Sequence, residues 1–197
     1  MDKFSYAIGL GIGQNLLSMG AKDLVVDDFA QAISDVLQGK ATAISHKEAR
    51  DIVSKYYEDM AARANAENME RGKKFLEENK KRAGVVTLPS GLQYEVLKEG
   101  QTGRYAKATD RVQCHYEGTL VDGTLFDSSV RRGQPATFGV NQVIPGWVEA
   151  LQLMPEGAKW KLYIPSNLAY GAQGAGELIP PHSTLVFEIE LLKVIKS

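Results

Sequence analysis

Residues 143–154 read VIPGWVEALQLM. A Pro-Gly pair breaks the chain, and a helical pattern starts at once with Val148, Leu151 and Met154. The largest apolar side chain, Trp147, falls in the first turn of that short helix. A core tryptophan ordinarily sits mid-element, covered from all sides. One at a helix tip beside a loop keeps a face free, and this face is expected to floor a pocket.

Strand patterns surround the helix. Leu92, Tyr94 and Val96 alternate with Gln93, Glu95 and Leu97 after the turn Pro89-Ser90-Gly91. Val112, Cys114 and Tyr116 alternate with Gln113, His115 and Glu117, and Asp122-Gly123 is a hairpin signal. Lys159 to Ile164 and Thr184 to Val194 supply further strands. Several antiparallel strands and one short helix, 146–153, predict an α+β domain whose curved sheet wraps the helix. Trp147 then lies at one end of the concave face.

The chain before residues 84–91 has a different grammar: helical stretches and no proline. Phe4, Ile8, Ile12, Leu16 and Met19 form a stripe that stops at Gly20. Asp27 or Asp28 caps the next helix, with Phe29, Ile33, Val36 and Leu37 inward and Gly39 after its end. Ser45-His46-Lys47-Glu48 is a capping box opening a long helix that Gly84 ends. That helix covers about 38 residues, roughly 57 Å. Ala49, Ile52, Val53, Tyr56, Met60 and Ala64 give its early stripe; Met69, Phe75 and Leu76 continue it thinly. Its charged later part is expected to be an exposed spacer. The division expected is 1–44 for a helical dimerisation domain, 45–84 for the connecting helix and 85–197 for the sheet domain. Two short helices and the start of a third make too little core to stand alone, which predicts a homodimer. Gly9 and Gly13 would let two helices approach closely; their alternative use is packing within one chain. Gly9-Leu10-Gly11-Ile12-Gly13 has the wrong spacing for a dinucleotide fingerprint, and no strand precedes it.

Composition narrows the function classes. The 197 residues carry 23 basic and 24 acidic side chains, a net charge of −1, with 44% hydrophobic residues. This is the balance of a globular protein and gives no electrostatic case for nucleic acid or an anionic membrane as the main partner. No apolar run approaches the ~20 residues of a membrane span. The N-terminal stretch does not read as a signal peptide, so the expected location is cytoplasmic, a trimmed periplasmic protein being the alternative. A single cysteine, Cys114, precludes an internal disulfide and fits a buried apolar role. His46, His115 and His182 are scattered, so neither a metal nor a cofactor is expected. Ser128 and Ser129 lack the surroundings of a nucleophile elbow.

What remains is a set of aromatic and apolar residues near loops: Tyr116, Phe126, Phe138, Val143, Ile144, Trp147, Tyr170, Ile179 and Phe187, with Asp127 beside Phe126. Each alone reads as core. Together, beside Pro-Gly turns and a glycine-rich loop, they read as a mostly apolar ligand cleft with a few polar groups.

Gly123-Thr124-Leu125-Phe126-Asp127-Ser128-Ser129, Val143-Ile144-Pro145-Gly146-Trp147, Leu168-Ala169-Tyr170-Gly171, Ile179-Pro180-Pro181 and Thr184-Leu185-Val186-Phe187 occur in that order. They resemble the successive motifs of the FKBP family of peptidyl-prolyl cis-trans isomerases, over residues 88–197. The first half resembles the N-terminal region of bacterial FKBPs related to the macrophage infectivity potentiator (Mip), through Phe4-Ser5-Tyr6-Ala7-Ile8-Gly9, the long helix and Gly84 to Tyr94. The resemblance implies an isomerase of Xaa-Pro bonds in folding proteins, dimeric through its N-terminal helices, with two catalytic domains held apart in a V. It implies Trp147 under the proline ring, with the Ile144 N–H and the Tyr170 hydroxyl reaching substrate carbonyls. Asp127 would orient Tyr170 or receive positive edges of the twisting amide; its alternative is a structural acceptor. Tyr116, Phe126, Phe138, Val143, Ile179 and Phe187 would line the pocket. Macrolide inhibitors are the further ligands implied. Ala136 stands where better-known eukaryotic members carry an aromatic residue, and Ala175 where some have His; both departures bear on macrolide affinity and sequence preference. The competing reading is a chaperone-type protein that holds unfolded chains, with isomerisation secondary.

Overall fold

Strict alternation along Arg111–Leu120 builds the centre of the sheet. Val112, Cys114 and Tyr116 are buried on one face, while Gln113, His115 and Glu117 stay partly exposed on the other. The structure is a computed structural model that describes residues 1–196. In chain order it has α1 (Lys3–Ser18), α2 (Val26–Leu37), α3 (His46–Asn79), β1 (Val85–Thr87), β2 (Gln93–Lys98), β3 (Arg111–Leu120), β4 (Leu125–Ser128), β5 (Ala136–Gly139), α4 (Pro145–Leu153), β6 (Lys159–Ile164) and β7 (Leu185–Ile195). It divides into two compact units, Met1–Tyr57 and the chain from Glu58 onward.

In the second unit the antiparallel order is β1-β2-β6-β7-β3-β4. β4 and β5 share one edge of β3: β5 pairs with Arg111–Cys114 and β4 with Glu117–Thr119. The chain between them, 129–135, is thereby thrown out as a loop. α4 lies against the inward face, with Trp147, Ala150 and Leu151 buried in one cluster with Leu162, Ile164, Leu185, Phe187 and Ile189. Pro145 occupies its first turn, where a missing N–H costs nothing. Burying a side chain such as Leu151 contributes about 1.5–3 kcal/mol. On the other face, Lys159 and Lys161 pair with Glu188 at 3.1 and 3.3 Å. The α+β expectation, a sheet around a short helix, matches.

The first unit is built differently. Asp2 caps α1, accepting from the Ser5 N–H at 2.8 Å. α2 departs from expectation: Val25 stands at its cap, and Asp27 and Asp28 sit in the first turn. There they complement the positive helix end without a capping bond. Ser45 does cap α3, accepting from the Glu48 N–H at 3.1 Å. No residue of α1 or α2 is buried.

α3 ends at Asn79, five residues before Gly84, and its later part is not an exposed spacer. Asn65, Asn68, Gly72, Phe75, Leu76 and Asn79 form a covered stripe, with Gly72 and Asn79 fully buried. The Phe75 ring meets Tyr163 at 5.9 Å. Asn79 donates to Gln93 Oε1 at 2.8 Å, and Gln93 donates back to the Leu76 carbonyl at 2.9 Å. Arg82 then bonds Asn79, Tyr163 and Glu95, fixing the exit of the helix on the sheet. Met69, assigned to the stripe by its hydrophobicity, is 53% exposed.

Candidate active site

Trp147 enters the site from the first turn of α4, where Ile144 caps the helix in an extended conformation. Its ring is 4% exposed, and three rings meet it edge-on: Phe187 at 5.1 Å, Tyr116 at 5.3 Å and Phe138 at 5.6 Å, with interplanar angles of 82–85°. Such pairs contribute about 0.5–1.5 kcal/mol beyond area burial. Tyr116 comes from β3, Phe138 from β5 and Phe187 from β7, so three strands converge on one helix tip. Among the described residues its buried indole Nε1 has no hydrogen-bond partner, and neither has that of Trp160. Leaving such a donor unpaired costs about 1–3 kcal/mol.

Phe126 and Asp127 are neighbours on β4, yet both reach residues of the inward face. The β3–β4 register shifts between Gly118 and Thr119, which pair with Asp127 and Leu125. Phe126 is the extra residue of this bulge, which breaks the alternation and turns it to the same side as Asp127. Its ring meets Phe187 at 5.4 Å, edge to face. Gly118 makes room: a Cβ there would lie 2.6 Å from both the Phe126 and Phe187 rings.

Asp127 is bonded to Tyr116, not to Tyr170. The Tyr116 hydroxyl donates to Asp127 Oδ2 at 2.5 Å, Arg132 Nη1 closes an ion pair with Oδ1, and Arg132 Nη2 donates to the Tyr116 hydroxyl at 2.9 Å. The guanidinium also lies 5.7 Å from the Tyr116 ring centre. Burial pushes the Asp127 carboxyl up, but the bonds from Tyr116 and Arg132 outweigh it and hold it below its ordinary value of 3.8. Burial and the bond to Asp127 push Tyr116 above its ordinary 10.0. The site therefore holds one fixed carboxylate, paired with the Arg132 cation and hydrogen-bonded by the Tyr116 phenol. Arg132 was not singled out by sequence reading. The available signal was a basic residue five positions after a carboxylate set among apolar groups.

The remaining predicted residues lie on loops. Val143 and Ile144 pack against the core, and the Ile144 N–H has no partner among the described residues. Tyr170 is 40% exposed, with its hydroxyl unpaired among the described residues. Ile179 is buried and held by two backbone bonds to Ala175, of 2.9 and 3.2 Å. Ala136 pairs with Cys114 across β3 and β5, and both Ala136 and Ala175 are partly buried. Cys114 is buried, and its thiol is pushed up to about 12 by burial. Ser129 is fully buried, its Oγ accepting from the Tyr116 N–H at 2.8 Å with His115 Nδ1 at 3.1 Å. That hydroxyl braces the strand. Among the described residues no group of three or more His, Cys, Asp or Glu is placed to hold a metal.

A family model described as FKBP-type peptidyl-prolyl cis-trans isomerase matches residues 102–192. The chain belongs to the FKBP-type peptidyl-prolyl cis-trans isomerases. A second model, for the domain amino-terminal to FKBP-type isomerases, matches residues 1–96. The FKBP-type 22 kDa isomerase of Escherichia coli is 49% identical over 97% of this chain and 94% of its own. Outer membrane protein MIP of Legionella longbeachae is 43% identical over 100% of this chain and 86% of its own. The crystal structure of FkpA from Escherichia coli superposes with a TM-score of 0.82 at 35% identity, covering 98% of this chain and 96% of that one. This FKBP-type chain is thus Mip-like along its whole length, and its class is that of an enzyme. No helix among the described residues is long and apolar enough to cross a membrane. The expected cytoplasmic location finds no support here; the Legionella longbeachae relative is named for the outer membrane.

Proposed function

We propose that the cluster around Trp147 takes the proline ring of a peptide substrate and that isomerisation occurs above it, by twisting the preceding amide. Trp147 is the floor; Tyr116, Phe126, Phe138, Val143, Ile179 and Phe187 are the walls. The observation that carries this reading is the ring cage, three aromatics edge-on to one indole at a helix tip. Hollow volume alone would point elsewhere: cavities of about 500 and 1030 Å³ lie on other parts of the chain.

Twisting the amide costs ~18–20 kcal/mol because conjugation is lost. The planar amide carries charge separation that water stabilises, whereas the twisted one is less polar and its nitrogen more amine-like. An apolar cage therefore binds the twisted form better than the planar one. The free Ile144 N–H and the Tyr170 hydroxyl are the donors for substrate carbonyls, fixing the flanks of the bond while the prolyl side stays caged. Asp127 acts through its position on the cage wall. Its carboxylate is locked by Tyr116 and Arg132, which leaves the alternative of orienting Tyr170 without a contact to support it.

The test is exchange of a leucyl-prolyl peptide, followed with and without the protein. Wild type accelerates it, and Asp127→Leu lowers kcat/KM about tenfold or more while the fold persists. An unchanged rate for the variant would remove Asp127 from the reaction.

We also infer a homodimer through the first unit, with residues 1–44 as its dimerisation part, 45–84 connecting and 85–197 isomerising. Neither α1 nor α2 buries a residue, and Phe4, Leu17 and Leu37 are 75%, 62% and 80% exposed. A groove of about 1030 Å³ runs among Phe4, Ile8, Ile12, Leu16, Phe29 and Ile33. A Cβ at Gly9 or Gly13 would meet nothing within 4 Å, so packing within one chain gives these glycines no reason. A second copy does. Macrolides would occupy the same cage, with Ala136 and Ala175 trimming its rim. The chaperone-type alternative has no observation that favours it over isomerisation.

A further inference from the structure

The segment carrying Ile179 to the pocket is held from outside by α3. Asn68 Nδ2 donates to the Pro181 carbonyl at 2.6 Å and to Ser183 Oγ at 3.0 Å. These two bonds bracket His182, which stands at φ 60, in the left-handed region that a side chain seldom adopts. Such a conformation persists only where its surroundings fix it. Ser183 Oγ donates in turn to the Pro180 carbonyl at 2.7 Å. One helical turn along α3, Gly72 lets the same segment come close: a Cβ there would lie 2.4 Å from Thr184 Oγ1 and 3.2 Å from Thr184 Cβ.

The bracketed residue ties two parts of the pocket. The His182 N–H donates to the Gly171 carbonyl at 2.8 Å, and Gly171 follows Tyr170. On the other side, Ile179 is joined to Ala175. Fixing His182 thus fixes both Ile179, a wall, and Tyr170, a proposed donor.

We propose that Asn68 and Gly72 of α3 are positioning residues for substrate binding, setting the Ile179–Thr184 segment and through it the Tyr170 loop. This rests on the assignment of Ile179 and Tyr170 to the proline pocket. Neither α3 residue is part of that pocket, so the effect falls on how well the substrate is held. Trp147, Phe187 and Asp127, on other elements, keep their places.

The test uses full-length chains and the leucyl-prolyl peptide, with KM and kcat resolved. Asn68 is half-buried and polar, so Asn68→Ala folds. Its KM is expected to rise roughly threefold to tenfold with kcat within about twofold. Gly72→Ala is expected to act the same way, and Gly72→Ala combined with Thr184→Ala to recover most of the loss, because the second change removes the atom at 2.4 Å. A wild-type KM in folded Asn68→Ala overturns the proposal. So does a lowered melting temperature with KM unmoved, which would make Asn68 structural only. Ile179→Ala separates the two levels. If it raises KM while Asn68→Ala does not, the positioning role alone fails; if neither moves KM, the pocket assignment fails and takes the proposal with it.

Discussion

The two units of this chain spend their apolar residues in opposite ways. The unit from Glu58 onward closes on itself: Leu92, Leu151, Leu162, Ile164, Leu185, Ile189 and Leu191 are all fully buried. The unit before it places Ile8, Leu10, Leu17, Val36 and Leu37 in α1 and α2 and leaves each more than half exposed. Both are apolar in sequence. The difference is that a sheet curled round a helix buries both inner surfaces, whereas two short helices have nothing wide enough to cover them. The first unit leaves its apolar face open, and the second closes on its own.

The largest effect expected from breaking this contrast is on assembly. Phe4→Glu with Leu17→Glu puts two charges on exposed apolar positions of α1. Sedimentation is expected to show monomer where wild type is dimer, a loss on the order of 3 kcal/mol or more in association. Far-UV circular dichroism should report helix lost from the first unit, while tryptophan fluorescence, which comes from Trp147 and Trp160 in the second, stays native. A wild-type dimer in this variant would mean that the α1 face is not the interface.

The next effect lies inside the closed unit. Trp147→Ala removes the ring that Tyr116, Phe138 and Phe187 meet edge-on. Urea unfolding is expected to show a loss of about 3–5 kcal/mol, with isomerase activity abolished. The equivalent truncation at Leu37, 80% exposed, should leave a single chain's stability almost unchanged and act only through association. Equal losses at the two positions would erase the contrast.

A smaller readout probes the same core without changing the protein. Cys114 is fully buried, and its thiol is pushed up to about 12. Only thiolate reacts, so a thiol reagent at pH 8 should label it no faster than the second unit opens. Fast labelling would show that β3 and β7 part locally.

Most of this was legible in the sequence because apolar alternation and glycine-proline punctuation are the signals that set a sheet domain. Val112, Cys114 and Tyr116 announce a strand face, and Ile144-Pro145-Gly146-Trp147 announces a helix tip. The docking of α3 was legible only at Phe75 and Leu76, for a physical reason. The rest of its covered stripe reads Asn65, Asn68, Gly72, Asn79, and such residues pack by hydrogen bonds and by lack of a side chain, not by hydrophobicity. A search for apolar periodicity passes over them and adds Met69, which faces solvent. Arg132 escaped for a related reason: its value comes from a loop folding back onto Asp127, and no local period encodes that return. The bulge at Phe126 is of the same kind, since alternation would send it and Asp127 to opposite faces.

The smallest expected effect is that of pH. Asp127 lies below its ordinary 3.8 in the folded chain, so the stability it adds is present above that value and lost as pH falls through the folded one. Tyr116 lies above its ordinary 10.0, so its share is present below that value and lost as pH rises through the folded one. Between these limits neither group titrates. Activity on a proline peptide is therefore expected to be flat from roughly pH 5 to pH 9, with no bell. Asp127→Asn sharpens this: its stability deficit should be constant across that range and vanish in acid, where the wild-type carboxyl is also neutral. A titration of activity near neutrality would assign the control to another group and overturn the flat profile expected from Asp127 and Tyr116.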